Sequence, residues 1–300
     1  MYATKVAERV YLLDTYALGQ PNTVGAYLIK GPKATLVDCG YASSYQSVLE
    51  GLAELGVMPS DIRYIVPTHV HLDHAGAAGR LAREMPNAKV VAHERSIPHL
   101  ADPTKLIESA TKVFGEVIMG LYGSPEPVPQ ERMMAVGKEV HLDLGEGLTA
   151  TLMHSPGHAP HQISMMLDAE KNLFTADAVG IVYPGMKTLI PTTPPPSFDP
   201  NLLVSTVRSL KQLGATRLLT PHFGARTDVD YVLENTEEKV TRWVKDVSDM
   251  KGRGASLDDA AGAMQLRVAR EAEVSKLPIY ATVSIRASVM GIMHYLSRNV

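Results

Sequence analysis

Residues Thr68-His69-Val70-His71-Leu72-Asp73-His74 place three imidazoles and one carboxylate within six positions. Neutral imidazole and ionised carboxylate together suit zinc, iron or manganese, and so dense a set of donors points to more than one metal ion. The chemistry open to it is that of a metal-dependent enzyme. Geometry supports the same reading. His69 and His71 are two apart in a stretch expected to be extended, so their side chains can point the same way. Asp73 and His74 are neighbours at the expected start of a helix and project in different directions, which favours a second ion beside the first.

Four residues do not complete two metal shells, so further donors are expected downstream. His158 in Ser155-Pro156-Gly157-His158, Asp177 after Leu173-Phe174-Thr175-Ala176, and His222 after Leu218-Leu219-Thr220-Pro221 are the candidates. Each lies just past an apolar stretch with strand character. That common placement singles them out, because open α/β sheets hold ligands beyond their strand ends.

The elements that must position these residues can be read in outline. Stretches 9–14, 24–30 and 34–38 are short, apolar and rich in β-branched or aromatic residues, with a Gly31-Pro32 turn between the last two. Residues 44–55 have helical spacing, with Val48, Leu49, Leu52 and Leu55 on one face and Gly56 as the stop. A strand at 62–66 ends at Pro67, directly before the His cluster. A helix over 75–85 and a strand over 88–92 follow, and the alternation indicates a layered α/β domain. Residues 96–135 change to helical spacing and read as an insertion over the core. Strands return at 148–153, 162–167 and 173–175. Asp199 as N-cap and Pro200 in the first turn open a helix whose stripe is Leu203, Val207 and Leu210. A strand at 217–220 follows. From residue 228 the chain reads as three helical segments, broken at Gly252-Arg253-Gly254 and Lys276-Leu277-Pro278. The expected division is a core over 1–227 and C-terminal helices over 228–300 packed on it.

Composition narrows the function classes. Of 300 residues 45% are hydrophobic, enough for a large core, and 29 basic against 32 acidic residues leave a net charge of −3. That balance offers nothing for nucleic acid or an anionic membrane surface. No run of 18 or more uncharged apolar residues marks a membrane span, and no signal peptide is visible at the start. One cysteine, Cys39, rules out an internal disulfide and, with the missing signal, gives a cytoplasmic expectation. Its place after Thr35-Leu36-Val37 fits a buried thiol. A small-molecule substrate is the expected partner. The mostly apolar segment 279–296 fits packing on the body, a pocket wall, or the interface of a homodimer.

The set His69-x-His71-x-Asp73-His74, Pro156-Gly157-His158, Phe174-Thr175-Ala176-Asp177 and Pro221-His222 resembles the metallo-β-lactamase-fold hydrolases in motif order and spacing over residues 10–225. The resemblance implies an α/β fold, a four-layer αββα sandwich, here with a helical insertion and a helical C-terminal extension. It implies that His69, His71 and His158 hold one metal, that Asp73, His74 and His222 hold the other, and that Asp177 bridges them. Two divalent ions are implied, zinc before iron or manganese. Asp73 is expected also to orient the attacking water. Asp38, after a strand and before Gly40, is the candidate for holding a ligating imidazole in its tautomer.

Within that family the oxygen-reducing di-iron branch usually carries Glu where His71 stands, which argues against it. Glyoxalase II relatives bind glutathione through C-terminal basic residues, and no such set is placed here. Lactonase relatives often have Tyr shortly after the bridging Asp; Ala178-Val179-Gly180 follows Asp177 instead. The leading expectation is hydrolysis of an ester, thioester, lactone or phosphoester by direct water attack. A mononuclear iron persulfide dioxygenase and a non-catalytic metal-binding regulator are the alternatives. His154 and His161 read as neighbours of the site or surface residues, and His93, His99, His141 and His294 as structural or exposed.

Overall fold

Short β-branched and apolar runs separated by Gly, Pro and Asn turns give strands, and the computed structural model, which describes residues 1–298, assembles them in two compact units. The first comprises Met1–His154 and His161–Ala176, the second Ser155–Pro160 and Asp177 onward. The last two residues of the expected 228–300 segment lie outside the described residues.

In the first unit, β1 (Ala3–Lys5), β2 (Val10–Asp14), β3 (Gly25–Ile29), β4 (Ala34–Val37), β5 (Ile62–Val66), β6 (Lys89–His93) and β7 (Met133–Val136) form one sheet in chain order. Its first four strands are antiparallel neighbours. From β4 onward the pairings are parallel. Parallel neighbours need crossovers. α1 (Tyr45–Glu54) supplies the first, α2 (Leu72–Ala75) with α3 (Ala78–Glu84) the second, and α4 (Ile97–Ala101), α5 (Thr104–Phe114) and α6 (Glu116–Tyr122) the third. Val48 and Leu52 of α1 and Leu81 and Ala82 of α3 pack with Leu28, Leu36, Ile65 and Val90 in one apolar cluster. Four further strands, β8 (Glu139–Gly145), β9 (Leu148–His154), β10 (Ile163–Leu167) and β11 (Asn172–Phe174), pair antiparallel. Side chains alternate across a strand, so Tyr27, next to Leu28, leaves the helix side. Its ring meets Phe174 of β11 edge to face with centroids 5.4 Å apart. The two sheets thus pack on each other, with helices outside the first.

The second unit holds the hairpin of β12 (Arg217–Thr220) and β13 (Gly224–Arg226), and the helices α7 (Pro200–Lys211), α8 (Val229–Gly252), α9 (Leu257–Glu271) and α10 (Ile279–Arg298). Asp199 caps α7 by accepting from the amides of Asn201 and Leu202, and Ser256 caps α9 with Asp259 in a reciprocal capping box. Trp243, Phe198, Met264, Ile285 and Ile292 are the centre of its core.

Several elements differ from expectation. The 75–85 helix begins earlier, at Leu72, and breaks before Ala78. At Gly76 an added Cβ would come within 2.2 Å of the Leu72 carbonyl and 2.7 Å of the Ala42 amide, so close backbone packing shapes this segment. The helical insertion ends short of residue 135. Met133–Val136 is strand β7, because pairing with β6 overrides the helical preference of two methionines. β8 was not expected: its buried Leu142 and Leu144 alternate with exposed His141 and Asp143, so it presents no apolar run. β1 and β13, three residues each, carry too short a pattern to read.

Candidate metal centre

In the first unit parallel pairing sets Val37 beside Val66, so the chains leaving β4 and β5 emerge together. Asp38 leaves β4 in the left-handed region at φ 59°, and its amide donates to the Val66 carbonyl. The turn aims its carboxylate back at the motif. Asp38 Oδ1 accepts from the Thr68 amide and the Thr68 hydroxyl, both at 2.8 Å, and Oδ2 lies 2.9 Å from His74 Nδ1. Asp38, Thr68, His69 and His74 are all buried.

These bonds fix proton positions. A carboxylate only accepts, so His74 Nδ1 carries the proton and, in the neutral ring, Nε2 carries the lone pair. The Thr68 hydroxyl spends its proton on Asp38. At 3.2 Å it therefore accepts from His69 Nδ1, which leaves the His69 lone pair on Nε2 as well. That Nε2 is 3.0 Å from His71 Nδ1, so the two nitrogens converge on one point. His74 Nε2 faces Asp73 Oδ2 at 3.5 Å. Two electron-rich atoms set face to face beyond ordinary hydrogen-bond distance suit a cation between them.

The second unit carries its own donor set. Gly157, at φ 129°, approaches α7 so closely that an added Cβ would be 2.3 Å from the Leu203 backbone. The Asp199 amide donates to the Gly157 carbonyl at 2.8 Å, and the Thr206 hydroxyl to the Pro156 carbonyl at 2.6 Å. So held, His158 Nδ1 donates to the Thr192 carbonyl at 3.0 Å, which places its lone pair on Nε2. Asp177 stands between two rings: Oδ2 is 3.5 Å from His158 Nε2, and Oδ1 is 3.5 Å from His222 Nε2. His222 lies two residues past the end of β12, after Pro221, and all three residues are buried.

Each unit therefore brings together the candidates that fall within it: His69, His71, Asp73 and His74 in one, His158, Asp177 and His222 in the other. All seven are His or Asp residues that are candidates for holding a metal ion. The donor chemistry, neutral imidazole nitrogen and carboxylate oxygen with proton positions set from behind, fits divalent transition metals.

Asp38 takes the supporting role expected of it. Thr68 and Thr192 were not expected. Thr68 adjoins the motif and could have been suspected from its hydroxyl; Thr192 sits in a proline-rich loop with no signal. His161 is buried with its ring centroid 6.3 Å from that of His69 and 6.1 Å from that of His71. The insertion reaches the motif through Leu72, which packs with Met119 and Tyr122, and Tyr122 stacks on Tyr41 at 4.2 Å. Burial, with the Asp73 charge adding to it, raises the Tyr122 hydroxyl pKa above its ordinary value. Tyr183 is a core residue bonded to Ser284, and His294 is exposed. Cys39 is buried, and burial followed by the Asp38 charge pushes its thiol pKa up, which keeps it inert. His93 is buried and stacked on His154 with centroids 4.2 Å apart.

Comparison with known proteins agrees with this architecture. The family model described as the metallo-beta-lactamase superfamily matches residues 20–222. The metallo-beta-lactamase fold-containing protein ST1585 of Sulfurisphaera tokodaii is 32% identical over 179 residues, 58% of this chain and 63% of that one. Its crystal structure superposes with a TM-score of 0.61 at 28% identity, covering 75% of this chain and 81% of the other. The N-acyl homoserine lactonase AttM of Azorhizobium caulinodans is 28% identical over 178 residues, 57% of this chain and 59% of the relative. The flavo-diiron protein FprA2 of Clostridium acetobutylicum is 28% identical over 160 residues, 53% of this chain and 34% of the relative. The matches span less than two-thirds of the length of each of these curated relatives. With a family model matching most of its length, and with two sheets, outer helices and His/Asp donors past the strand ends, this chain belongs to the metallo-beta-lactamase superfamily.

Proposed function

We propose that the chain is a dinuclear metal-dependent hydrolase that cleaves an ester, thioester, lactone or phosphoester bond of a small molecule by direct attack of water. In this reading His69, His71 and His158 hold one divalent ion, Asp73, His74 and His222 hold the other, and Asp177 bridges them, as the family resemblance implies. Zinc is the first choice, iron or manganese the alternatives. The observation that carries the reading is the proton arrangement. In both units the structural bonds occupy Nδ1 of His69, His74 and His158, on Thr68, Asp38 and the Thr192 carbonyl, and reserve each Nε2 for ligation.

Bound there, a pair of divalent ions would lower the pKa of a shared water toward neutrality and polarise the oxygen of the scissile group. The protein's own part is to orient and to move protons. Asp73, less buried than its neighbours, accepts a hydrogen bond from the attacking water and aligns it. Asp38 keeps His74 and, through Thr68, His69 in the lone-pair-forward tautomer throughout. The hydrolase reading draws support from the lactonase among the relatives. His71, where the di-iron branch usually carries Glu, supports the hydrolase reading over that of the flavo-diiron relative.

The test is metal analysis combined with a panel of chromogenic esters, thioesters, lactones and phosphoesters. Two transition-metal ions per chain, turnover independent of oxygen, and loss of turnover on chelation with recovery on adding zinc are expected. One iron per chain with oxygen uptake, or full speed after exhaustive chelation, would overturn the proposal.

A further inference from the structure

Thr192 is the residue through which His158 and Asp177 are both held, and its two neighbours are fastened to the last helix. The Thr192 carbonyl accepts from His158 Nδ1 at 3.0 Å. Its hydroxyl lies 2.9 Å from the Asp177 carbonyl and 3.2 Å from that of Val179. On one side, the Ser288 hydroxyl of α10 donates to the Pro191 carbonyl at 2.7 Å. On the other, the Thr193 hydroxyl donates to the Ser288 carbonyl at 3.0 Å, and the Thr193 amide donates to the Ser288 hydroxyl oxygen at 3.3 Å. One turn further along α10, Gly291 lets the strap lie directly on the helix. A Cβ there would fall 1.9 Å from the Thr193 carbonyl oxygen, 2.5 Å from Pro194 and 2.7 Å from Pro195. Ser288 is buried, so its hydroxyl is placed for this contact rather than for solvent.

We infer that α10 is a positioning element for the metal ligands, with Ser288 and Gly291 setting the height of the 191–194 strap and Thr192 transmitting it to His158 and Asp177. This rests on the reading of those two residues as ligands. The physical argument is one of lever length. Thr192 has a clamped residue on each side, so a shift of the strap away from α10 moves a carbonyl that orients one ligand and a hydroxyl that holds the backbone of the other. Ligand atoms tolerate errors of only a few tenths of an ångström before affinity falls, and groups behind the ligands are typically worth about 10–100-fold. A helix far along the chain from the His cluster thereby contributes to the metal affinity without supplying a donor.

Zinc affinity, read by competition with a chromophoric chelator on the full chain, tests this apart from catalysis. Ser288→Ala, Gly291→Ala and Thr192→Val are each expected to bind about 10–100-fold more weakly. Thr192→Ser, which restores the hydroxyl, should recover most of the loss. Val268→Ala, which thins the same apolar core from α9, should lower thermal stability and leave the affinity unchanged. If Gly291→Ala does not fold, Ser288→Ala decides. Variants that fold and hold zinc as the native chain does would overturn this inference alone, as would a Val268→Ala chain weakened as much as they are. A native chain that takes up no metal would overturn the hydrolase reading as well.

Discussion

Asp38 Oδ2 accepts a hydrogen bond from His74 Nδ1 at 2.9 Å while Oδ1 accepts from both the amide and the hydroxyl of Thr68. One buried carboxylate thus sets the tautomer of two candidate ligands, His74 directly and His69 through the Thr68 hydroxyl. Asparagine in its place would set an NH2 group against the His74 Nδ1–H or against the Thr68 donors, and a buried donor facing a donor costs about 1–3 kcal/mol. Asp38→Asn is therefore expected to weaken metal binding about 10–100-fold. Thr68→Val, which cuts only the branch to His69, should weaken it less. Metal content after dialysis against graded chelator orders the three proteins.

Gly157 carries a second expectation. Its φ of 129° lies where L side chains are rare, and the Leu203 backbone stands where a Cβ would be. Gly157→Ala must either push α7 away or twist the loop that presents His158. Overpacking of this kind costs about 1–3 kcal/mol. Lowered thermal stability together with lower metal affinity is the expected outcome. A chain that loses stability but keeps its affinity would show that α7 yields and the loop does not.

Much of this was legible in the chain because donors and elements obey different rules that agree here. The strand at 62–66 and the helix opened by Asp199-Pro200 fall where expected, since periodicity, caps and Pro placement act locally. The motif residues stood out because imidazole is scarce and its spacing carries geometry. Asp38 was legible as a supporting residue because it follows a strand and stands two residues before Gly40. What escaped depended on distant partners. β7 is a strand only because β6 lies next to it, and Thr192 matters only because the chain folds its carbonyl onto His158. No local pattern encodes either. The burial of His161 beside His69 and His71 is likewise set by β10, whose start follows it, rather than by its own neighbours.

Lys239 of α8 is buried, and its ammonium pairs with Glu271 of α9 at 2.6 Å while also donating to the Leu189 carbonyl and the Thr188 hydroxyl. Burial alone would raise the Glu271 pKa, but Lys239, Thr188 and Arg242 together bring it below the ordinary glutamate value. Removing Glu271 leaves the buried Lys239 without its counter-charge, which typically costs about 3–5 kcal/mol, whereas removing Lys239 leaves a Glu271 that is only partly buried. Glu271→Gln should therefore lower the urea midpoint clearly. Lys239→Met should lower it less, because Arg242 still pairs with Glu271 at 2.7 Å. Equal losses in the two variants would argue against an electrostatic origin.

His93 gives the chain an acid-sensitive term away from the candidate ligands. Burial first, and the neighbouring His154 second, push its pKa down from 6.5 to about 4. Its Nδ1 accepts from the Arg95 amide at 3.1 Å, so the neutral ring is the form the fold is built around. Above pH 6.5 the ring is neutral in both native and unfolded chains and exerts no pull. Between 6.5 and about 4 the unfolded chain takes up a proton that the native chain refuses, so stability falls as the pH drops. The slope from one such group is at most about 1.4 kcal/mol per pH unit. His93→Asn keeps an acceptor for the Arg95 amide and removes the titration. Urea midpoints of metal-free protein at several pH values across that window should fall more steeply for the native chain than for the variant. Parallel curves would place the acid sensitivity elsewhere.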